Sequence, residues 1–496
     1  MNRKVVVVGG GTAGLIAALT LLKLCERIDI TIVRSTKIGH IMVGEGTVGS
    51  TPGFFHDVLE ISKRDFISKV NPTWKLGVRF LWGDRPFFDY TFTAQFLNQI
   101  LPSTKKPLAY YFLHTNWEGI SEASELMSQN KLLCGENVAG EKRLPKNAAY
   151  HFENEKFVSF LEQRFVQQGG KLLDATITQS SVSENGIDSV SLDTGEQLLG
   201  DFFIDASGFS GLLIHKALGE PYISMRDHLF CNQAIVGGWE REDGEVIKPY
   251  TTAETMSSGW CWQIEHEHLI NRGYVHSSDF ISDDQAAGEF LQKNPSLHEK
   301  DLRLVPFESR YIRNPWVKNV VAIGNACGFV EPLEATNIQV ICSQSTRFAR
   351  VFNLESKNQT LISEYNQSIQ SEWGIIRDFL ALHYRFNTRF NTPFWKMATN
   401  ETPLGDIQSY IEFYQNTGPN TFSSRFIKKQ DPFGYEGYLS MLLGMKVPWK
   451  GSDKTLTKGE IRSLKNVRQS NVLKAMRGIS SEQLLSEIKS SKWLWN

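Results

Sequence analysis

The sequence predicts an α/β fold with a helical C-terminal part, on three observations. A short valine run at residues 4–8 enters a glycine-rich turn and then an apolar stretch of helical length. Further strand-then-glycine-turn segments return downstream, at 200–214 and 320–341. From about residue 351 the pattern becomes mostly helical, with long amphipathic stretches.

KVVVV at 4–8 is almost wholly β-branched, the mark of a strand buried in a parallel sheet. Gly9, Gly11 and Gly14 follow in GGGTAG, with Thr12 and Ala13 inside the turn. LIAALTLLKLCERI (15–28) predicts a helix, and DITIV (29–33) a second strand. Strand, G-x-G-x-x-G, helix, strand is the dinucleotide fingerprint of a Rossmann-like unit. Gly9 permits the tight turn, Gly11 lets backbone approach a pyrophosphate, and Gly14 lets helix pack on strand. The helix N-terminus offers unpaired N–H groups to phosphate. One position departs from the pattern: Arg34 stands where an acid for the ribose hydroxyls is usual. It suits adenine stacking, a phosphate contact or a solvated loop.

The chain has 496 residues, 41% of them hydrophobic, so more than one small core is expected. The expected division is a nucleotide-binding module over 1–350, with a β-rich substrate region inserted in it, and a helical region over 351–496 that completes a pocket. Lys plus Arg (53) nearly balances Asp plus Glu (54), so no global field points to nucleic acid. Residues 451–496 carry nine Lys/Arg against four Asp/Glu, a net +5, which reads as a solvated helical face. Twelve Trp and 31 Phe fit a large aromatic interior. The six cysteines include no CxxC pair, so reduced buried thiols are expected, with no metal site. The N-terminal apolar run enters a glycine motif at once and has no cleavage site, unlike a signal peptide. No stretch is apolar enough to span a bilayer, and a soluble, cytoplasmic protein with no membrane partner is expected.

GWCWQIEHE at 259–267 places Trp260 and Trp262 two positions apart, with Ile264 behind them. As a strand it would set those three side chains on one face and Cys261, Gln263 and Glu265 on the other.

These segments together resemble the flavin-dependent halogenases of the tryptophan halogenase family. GGGTAG, GEGTVGSTPGFF (44–55), TWKLGVRF (73–80), YHFENEKFVSFL (150–161), IDASGFSGLLI (204–214), GYVHSSDFIS (273–282), WVKNVVAIGNACGFVEPLEAT (316–336) and RDFLALHYRFNTRFNTPFW (377–395) look like family blocks in family order. The family signature WxWxIP stands here as Trp260-Cys261-Trp262-Gln263-Ile264, with Glu265 in place of the proline.

The resemblance implies an FAD-binding module of flavin-monooxygenase type and a two-component enzyme. Reduced FAD, supplied by a separate NAD(P)H-dependent flavin reductase, O2 and a halide (chloride, bromide or iodide) would yield hypohalous acid. That acid would halogenate an electron-rich aromatic of indole or phenol type. Cofactor contacts carry over to Gly9, Gly11, Thr12, Ala13, Gly14, Arg34, Gly44, Gly46, Thr47, Val48, Gly324, Gly328, Asn337 and Ile338. The family's Glu-Ser-Thr-Gly stretch is here Glu334-Ala335-Thr336-Asn337, which assigns halide to Thr336 and Asn337. The paired tryptophans and Ile264 would lie beside the flavin and keep organic substrate from it.

Two residues match the family's catalytic pair. Lys75, set between Trp74 and Leu76, would activate hypohalous acid; a lysine snorkelling at a strand edge is the alternative. Glu334 would accept the ring proton, or serve as an acid on a helix dipole. Pocket residues are expected at His383, Phe394, Tyr435, Glu436 and Tyr438. No two tyrosines stand side by side in 430–445, so free-tryptophan recognition is not carried over. Two alternatives stand beside this reading: an aromatic flavin monooxygenase that hydroxylates, and a catalytically inactive flavin-binding module.

Overall fold

The valine run folds as expected, as the strand Arg3–Val8, with Val5 to Val8 almost fully buried. In the computed structural model, residues 2–38, 44–96, 108–113, 115–136, 142–354, 359–452 and 456–490 are described. They form two units, each assembled from three segments. One comprises Met1–Asn71, Phe152–Arg226 and Glu308–Gly374; the other comprises Pro72–His151, Asp227–Phe307 and Ile375–Asn496. This interleaving differs from a single division at residue 350. The strands of each unit come from distant stretches, and local sequence patterning carries no record of such pairing.

The first unit is built on a six-stranded sheet. Its order is Lys171–Asp174, Ile28–Arg34, Arg3–Val8, Phe202–Asp205, Val320–Ala322 and Trp316–Val317. The first five run parallel, and only the last pair is antiparallel. The helix Thr12–Leu24 packs on the helix Asn337–Phe352. It stops four residues short of the predicted Ile28 because Cys25 is extended and Arg27 takes a left-handed φ of 54°. That kink turns the chain directly into the strand Ile28–Arg34.

The second unit is built on a seven-stranded sheet. The order is Arg303–Pro306, Gln233–Glu240, Leu269–His276, Gly259–Glu265, Thr251–Met256, Gly77–Leu81 and Phe88–Thr91. Gly259–Glu265 is central and buried along its whole length. Its register pairs Trp260 with Val275, Trp262 with Gly273 and Cys261 with Tyr274. Cys261 joins a core with Ile235, Tyr274, Ala286 and Phe290, the last two from the helix Asp283–Lys293. That helix therefore covers the face opposite the tryptophans. The C-terminal region is mainly helical, with the helices Pro393–Glu401, Gln408–Thr417, Gly434–Gly444, Lys458–Ala475 and Ser481–Ser490. Among the described residues, no helix is long and apolar enough to cross a membrane.

Candidate active site

The first unit gathers the glycine-rich segments. Gly9 has a φ of +115°, and a Cβ there would stand 2.2 Å from the Ala206 carbonyl oxygen. A Cβ on Gly14 would meet the Gly9 carbonyl at 1.9 Å. The turn therefore closes only with glycine at both positions. Gly11 caps the helix Thr12–Leu24 with no side-chain acceptor, which leaves the first-turn N–H groups of Thr12, Ala13 and Gly14 to an outside partner. A pyrophosphate fits that requirement.

The other loops of this unit are held by buried polar anchors. Asp205, at the end of its strand, accepts from Ser207 N and Oγ and from Leu213 N and Ile214 N at 2.6 to 3.1 Å. This explains the aspartate of IDASGFSGLL: a carboxylate ties the turn back to the strand. Gln344 accepts from Gly324 N at 3.0 Å and donates to Cys327 Sγ at 3.2 Å, so one amide shapes the GNACG turn. Burial pushes the Cys327 thiol up to about 12, which keeps it an inert thiol. Gly328 faces the Trp373 indole, which a Cβ would approach to 2.7 Å.

Gly44 and Gly46 lie in the short strand Gly44–Gly46, followed by buried Thr47 and half-buried Val48. Between the two glycines, Glu45 accepts from Asn154 Nδ2 at 3.1 Å, and the same nitrogen lies 3.3 Å from Thr12 Oγ1. Asn154 thus ties the 44–48 segment to the start of the first helix. Desolvation raises Glu45 to about 7. Neither Glu45 nor Asn154 was singled out from the sequence, since neither carries a motif of its own. Arg34 ends its strand beside Gly10, half-buried and paired with Glu162 at 3.1 Å, so it is not a free loop residue. That partner lies 128 positions along the chain and has no signal in the fingerprint.

Glu334 is buried in a turn closed by Ala335 N on Pro332 O at 3.1 Å. Ala335 holds a left-handed φ of 53°. Thr336 is the cap position of the helix Asn337–Phe352, but its side chain makes no capping bond. The N–H groups of Asn337 and Ile338 are thus uncapped at a positive helix end, which suits an anion.

The second unit holds the other set. Lys75 is fully buried at the end of the strand Thr73–Lys75, with its ammonium 5.6 Å from the Phe92 ring centroid. The strand pairs with a neighbour so that Lys75 faces Ala149 and Thr73 faces His151. His151 bonds Thr251 Oγ1 at 2.7 Å, and burial, Lys75 and His266 push it well below the usual histidine range. A neutral imidazole therefore stands beside the lysine strand. Trp260, Trp262 and Ile264 share one face of their strand and are all buried. Phe80 joins that face through the register Phe80↔Ala253↔Trp262.

The expected pocket residues are also in this unit. His383 is fully buried, with Nδ1 2.8 Å from Phe379 O and its ring near Phe80 and Phe379. Phe394 packs on Tyr384, Trp395 and Phe280. Tyr435 donates to Asn420 O at 2.6 Å and Tyr438 to Asp431 Oδ2 at 2.9 Å. Glu436 accepts from Gln95 N and Phe96 N. These three polar groups bond to other parts of the chain. The glycine, Glu334 and Thr336 set therefore belongs to one unit, and Lys75, the tryptophans and this aromatic set to the other. Among the described residues, no cluster of His, Cys, Asp and Glu has metal-site geometry.

The tryptophan halogenase family model matches residues 4–459. Tryptophan 6-halogenase ThaL of Streptomyces albogriseolus is 32% identical over 440 residues, covering 83% of this chain and 82% of its own. Tryptophan 7-halogenase RebH of Lentzea aerocolonigenes is 31% identical, with the same coverage. Among solved structures, MibH, a lathipeptide tryptophan 5-halogenase, superposes with a TM-score of 0.88 at 32% identity, covering 99% of this chain and 94% of its own. BrvH, a flavin-dependent halogenase from Brevundimonas sp. BAL3, gives 0.84 at 27% identity, covering 98% and 99%. The chain belongs to the tryptophan halogenase family. It is a flavin-dependent halogenase, an oxidoreductase that uses reduced FAD, halide and O2 to halogenate an aromatic substrate. The hydroxylase and inactive-module alternatives are not favoured by these relatives.

Proposed function

We propose that Lys75 and Glu334 carry the transfer of halogen to an indole or phenol ring. Reduced FAD, reacting with O2, supplies the two-electron oxidation that turns halide into hypohalous acid. Gly9, Gly11, Thr12, Ala13 and Gly14 hold the pyrophosphate through backbone N–H groups, and Gly44, Gly46, Thr47, Val48, Gly324 and Gly328 line the rest of the cofactor site. Thr336 and the uncapped N–H groups of Asn337 and Ile338 hold the halide at the helix end. Trp260, Trp262 and Ile264 form an apolar wall that keeps the aromatic substrate from the flavin. Arg34, clamped by Glu162, takes the place of a ribose-binding acid with a cation at the adenine side.

At Lys75 the ammonium donates a hydrogen bond to the oxygen of hypohalous acid and polarises the oxygen–halogen bond. The ring attacks halogen, that bond breaks, and oxygen leaves as water after taking a proton. Glu334 accepts the proton from the halogenated ring carbon, which restores aromaticity. The single observation that carries this reading is the complete burial of Lys75, although its strand stands at the edge of its sheet. A strand-edge snorkelling lysine would keep its ammonium in solvent.

The substrate is an indole or phenol ring carried on a scaffold other than free tryptophan. Tyr435, Glu436 and Tyr438 bind chain atoms, which supports a site without an amino-acid clamp there. A separate NAD(P)H-dependent flavin reductase is the partner. Six free cysteines, five of them buried, support a reducing compartment such as the cytoplasm.

The test combines the protein with FAD, a reductase, NADH, O2 and each halide in turn, over indoles, phenols, tryptophan and tryptophan-containing peptides. Mass spectrometry reads the product. A halogen mass shift that disappears in Lys75→Ala, with FAD affinity unchanged, is expected. Normal halogenation by Lys75→Ala rejects the assignment.

A further inference from the structure

The position where the family signature ends in proline holds Glu265, which is 1% exposed. A buried carboxylate needs partners, and it has them. Oε2 lies 2.6 Å from Arg241 Nη2, and Oε1 accepts from Gln263 Nε2 at 2.7 Å. The Arg241 side chain is only 6% exposed, and the same guanidinium donates to the carbonyls of His266 and Val246. The network runs on across the sheet: Arg272 donates to Gln263 Oε1 at 2.7 Å and to Glu254 Oε2 at 2.5 Å, and Lys293 pairs with Glu254 at 2.7 Å. This polar ladder occupies the face opposite the tryptophans.

The main chain of Glu265 points the network elsewhere. Its carbonyl oxygen accepts from the hydroxyl of Thr73 at 2.5 Å. Thr73 is fully buried and begins the three-residue strand that ends at Lys75. That strand is anchored at its far end as well, by Leu76 N on Pro249 O at 2.8 Å. Across from Thr73 stands His151, itself tied to Thr251. A strand of three residues has few ladder bonds of its own, so these side bonds set where its last side chain points.

We propose that Arg241 and Glu265 are positioning residues for Lys75. The buried ion pair fixes the Glu265 carbonyl, the carbonyl fixes Thr73, and Thr73 sets the strand that presents the lysine. A charged clamp here does the work that a rigid proline would do at the end of the tryptophan strand. The inference rests on the reading that Lys75 acts on hypohalous acid.

The test uses the whole enzyme with FAD, reductase, NADH, bromide and an indole. It measures the fraction of oxidised bromide that reaches the ring against the fraction captured by a hypohalous acid scavenger. Thr73→Val keeps the shape and removes the hydroxyl; it is expected to lower the ring fraction about fivefold or more, because a small misplacement of a reacting group is costly. FAD affinity and total bromide oxidised stay at the wild-type level, which a general loss of structure would not allow. Thr73→Ser restores the ring fraction to within about twofold. Glu265→Gln, which removes the charge but keeps an amide in place, lowers the fraction in the same direction and serves if Thr73→Val does not fold. A wild-type ring fraction in Thr73→Val, or in Glu265→Gln where that variant is used, overturns the positioning role. Lys75→Ala runs alongside. If it too keeps the ring fraction, the Lys75 reading is what has failed.

Discussion

Trp262 and Gly273 face each other across paired strands, and the indole lies where a Gly273 side chain would stand. A Cβ at Gly273 would come within 2.4 Å of Trp262 Cζ2. The second tryptophan of the signature is thus seated by a glycine on the neighbouring strand. Gly273→Ala is expected to destabilise the fold by about 1–3 kcal/mol, the usual cost of overpacking a filled core. Combining it with Trp262→Ala removes the clash, so the two changes together should cost less than their sum. Urea unfolding of the four proteins in the cycle measures this. Additive losses would show that the indole moves aside freely.

Glu334→Gln is isosteric and keeps the turn closed by Ala335 and Pro332. An amide cannot take a ring proton. The expected result is aromatic halogenation slowed by about a hundredfold, the low end for loss of a general base, with halide oxidation unchanged. Single-turnover product analysis beside a scavenger assay separates the two. Unchanged ring halogenation would leave Glu334 only its place before the helix Asn337–Phe352.

Some of this was legible in the sequence because its signals are local. The alternation in GWCWQIE fixes which side chains share a face, and the register bears that parity out. The strand Arg3–Val8, the glycine turn and the helix after it follow from the same short-range rules. The partner of Glu265 was not legible. Arg241 lies 24 positions upstream, just past the end of the strand Gln233–Glu240, and nothing in either stretch marks the pair. The same holds for Arg34 with Glu162 and for Asn154 with Glu45. Long-range charge pairs are set by topology, and the interleaving of six segments into two units hides topology from any local reading.

Ala335 holds a left-handed backbone at φ 53° immediately after Glu334. An L-residue in that region costs roughly 1–2 kcal/mol, and a β-branched one more. Ala335→Val is therefore expected to lower stability by about 1–2 kcal/mol and to turn Glu334 away. Ala335→Gly should leave stability unchanged or raise it by up to about 1 kcal/mol, as strain relief is set against added chain entropy. Thermal unfolding of both variants reads the difference. An Ala335→Val protein as stable as the wild type would mean that the turn relaxes without cost.

Glu45 sets a pH dependence whose sign follows from its shift. Desolvation raises its folded value from 4.5 to about 7, and the Asn154 bond only partly opposes that. Between those two values the folded chain holds a proton that the unfolded chain releases. Stability therefore falls as pH rises from about 4.5 through about 7, and the cost is fully present above that. Glu45→Gln imitates the protonated form and keeps an acceptor for Asn154. Relative to the wild type it should gain stability at pH 8 on the order of 1–3 kcal/mol and gain little at pH 4. The same change removes a negative charge close to Thr12, at the start of the proposed pyrophosphate cradle. FAD affinity of the wild type should thus weaken above pH 7, while that of Glu45→Gln stays flat. Unfolding curves and flavin titrations at pH 5, 6, 7 and 8 test both halves. If the two proteins show parallel stability profiles across that range, Glu45 does not titrate within it, and desolvation does not govern its half-buried carboxyl.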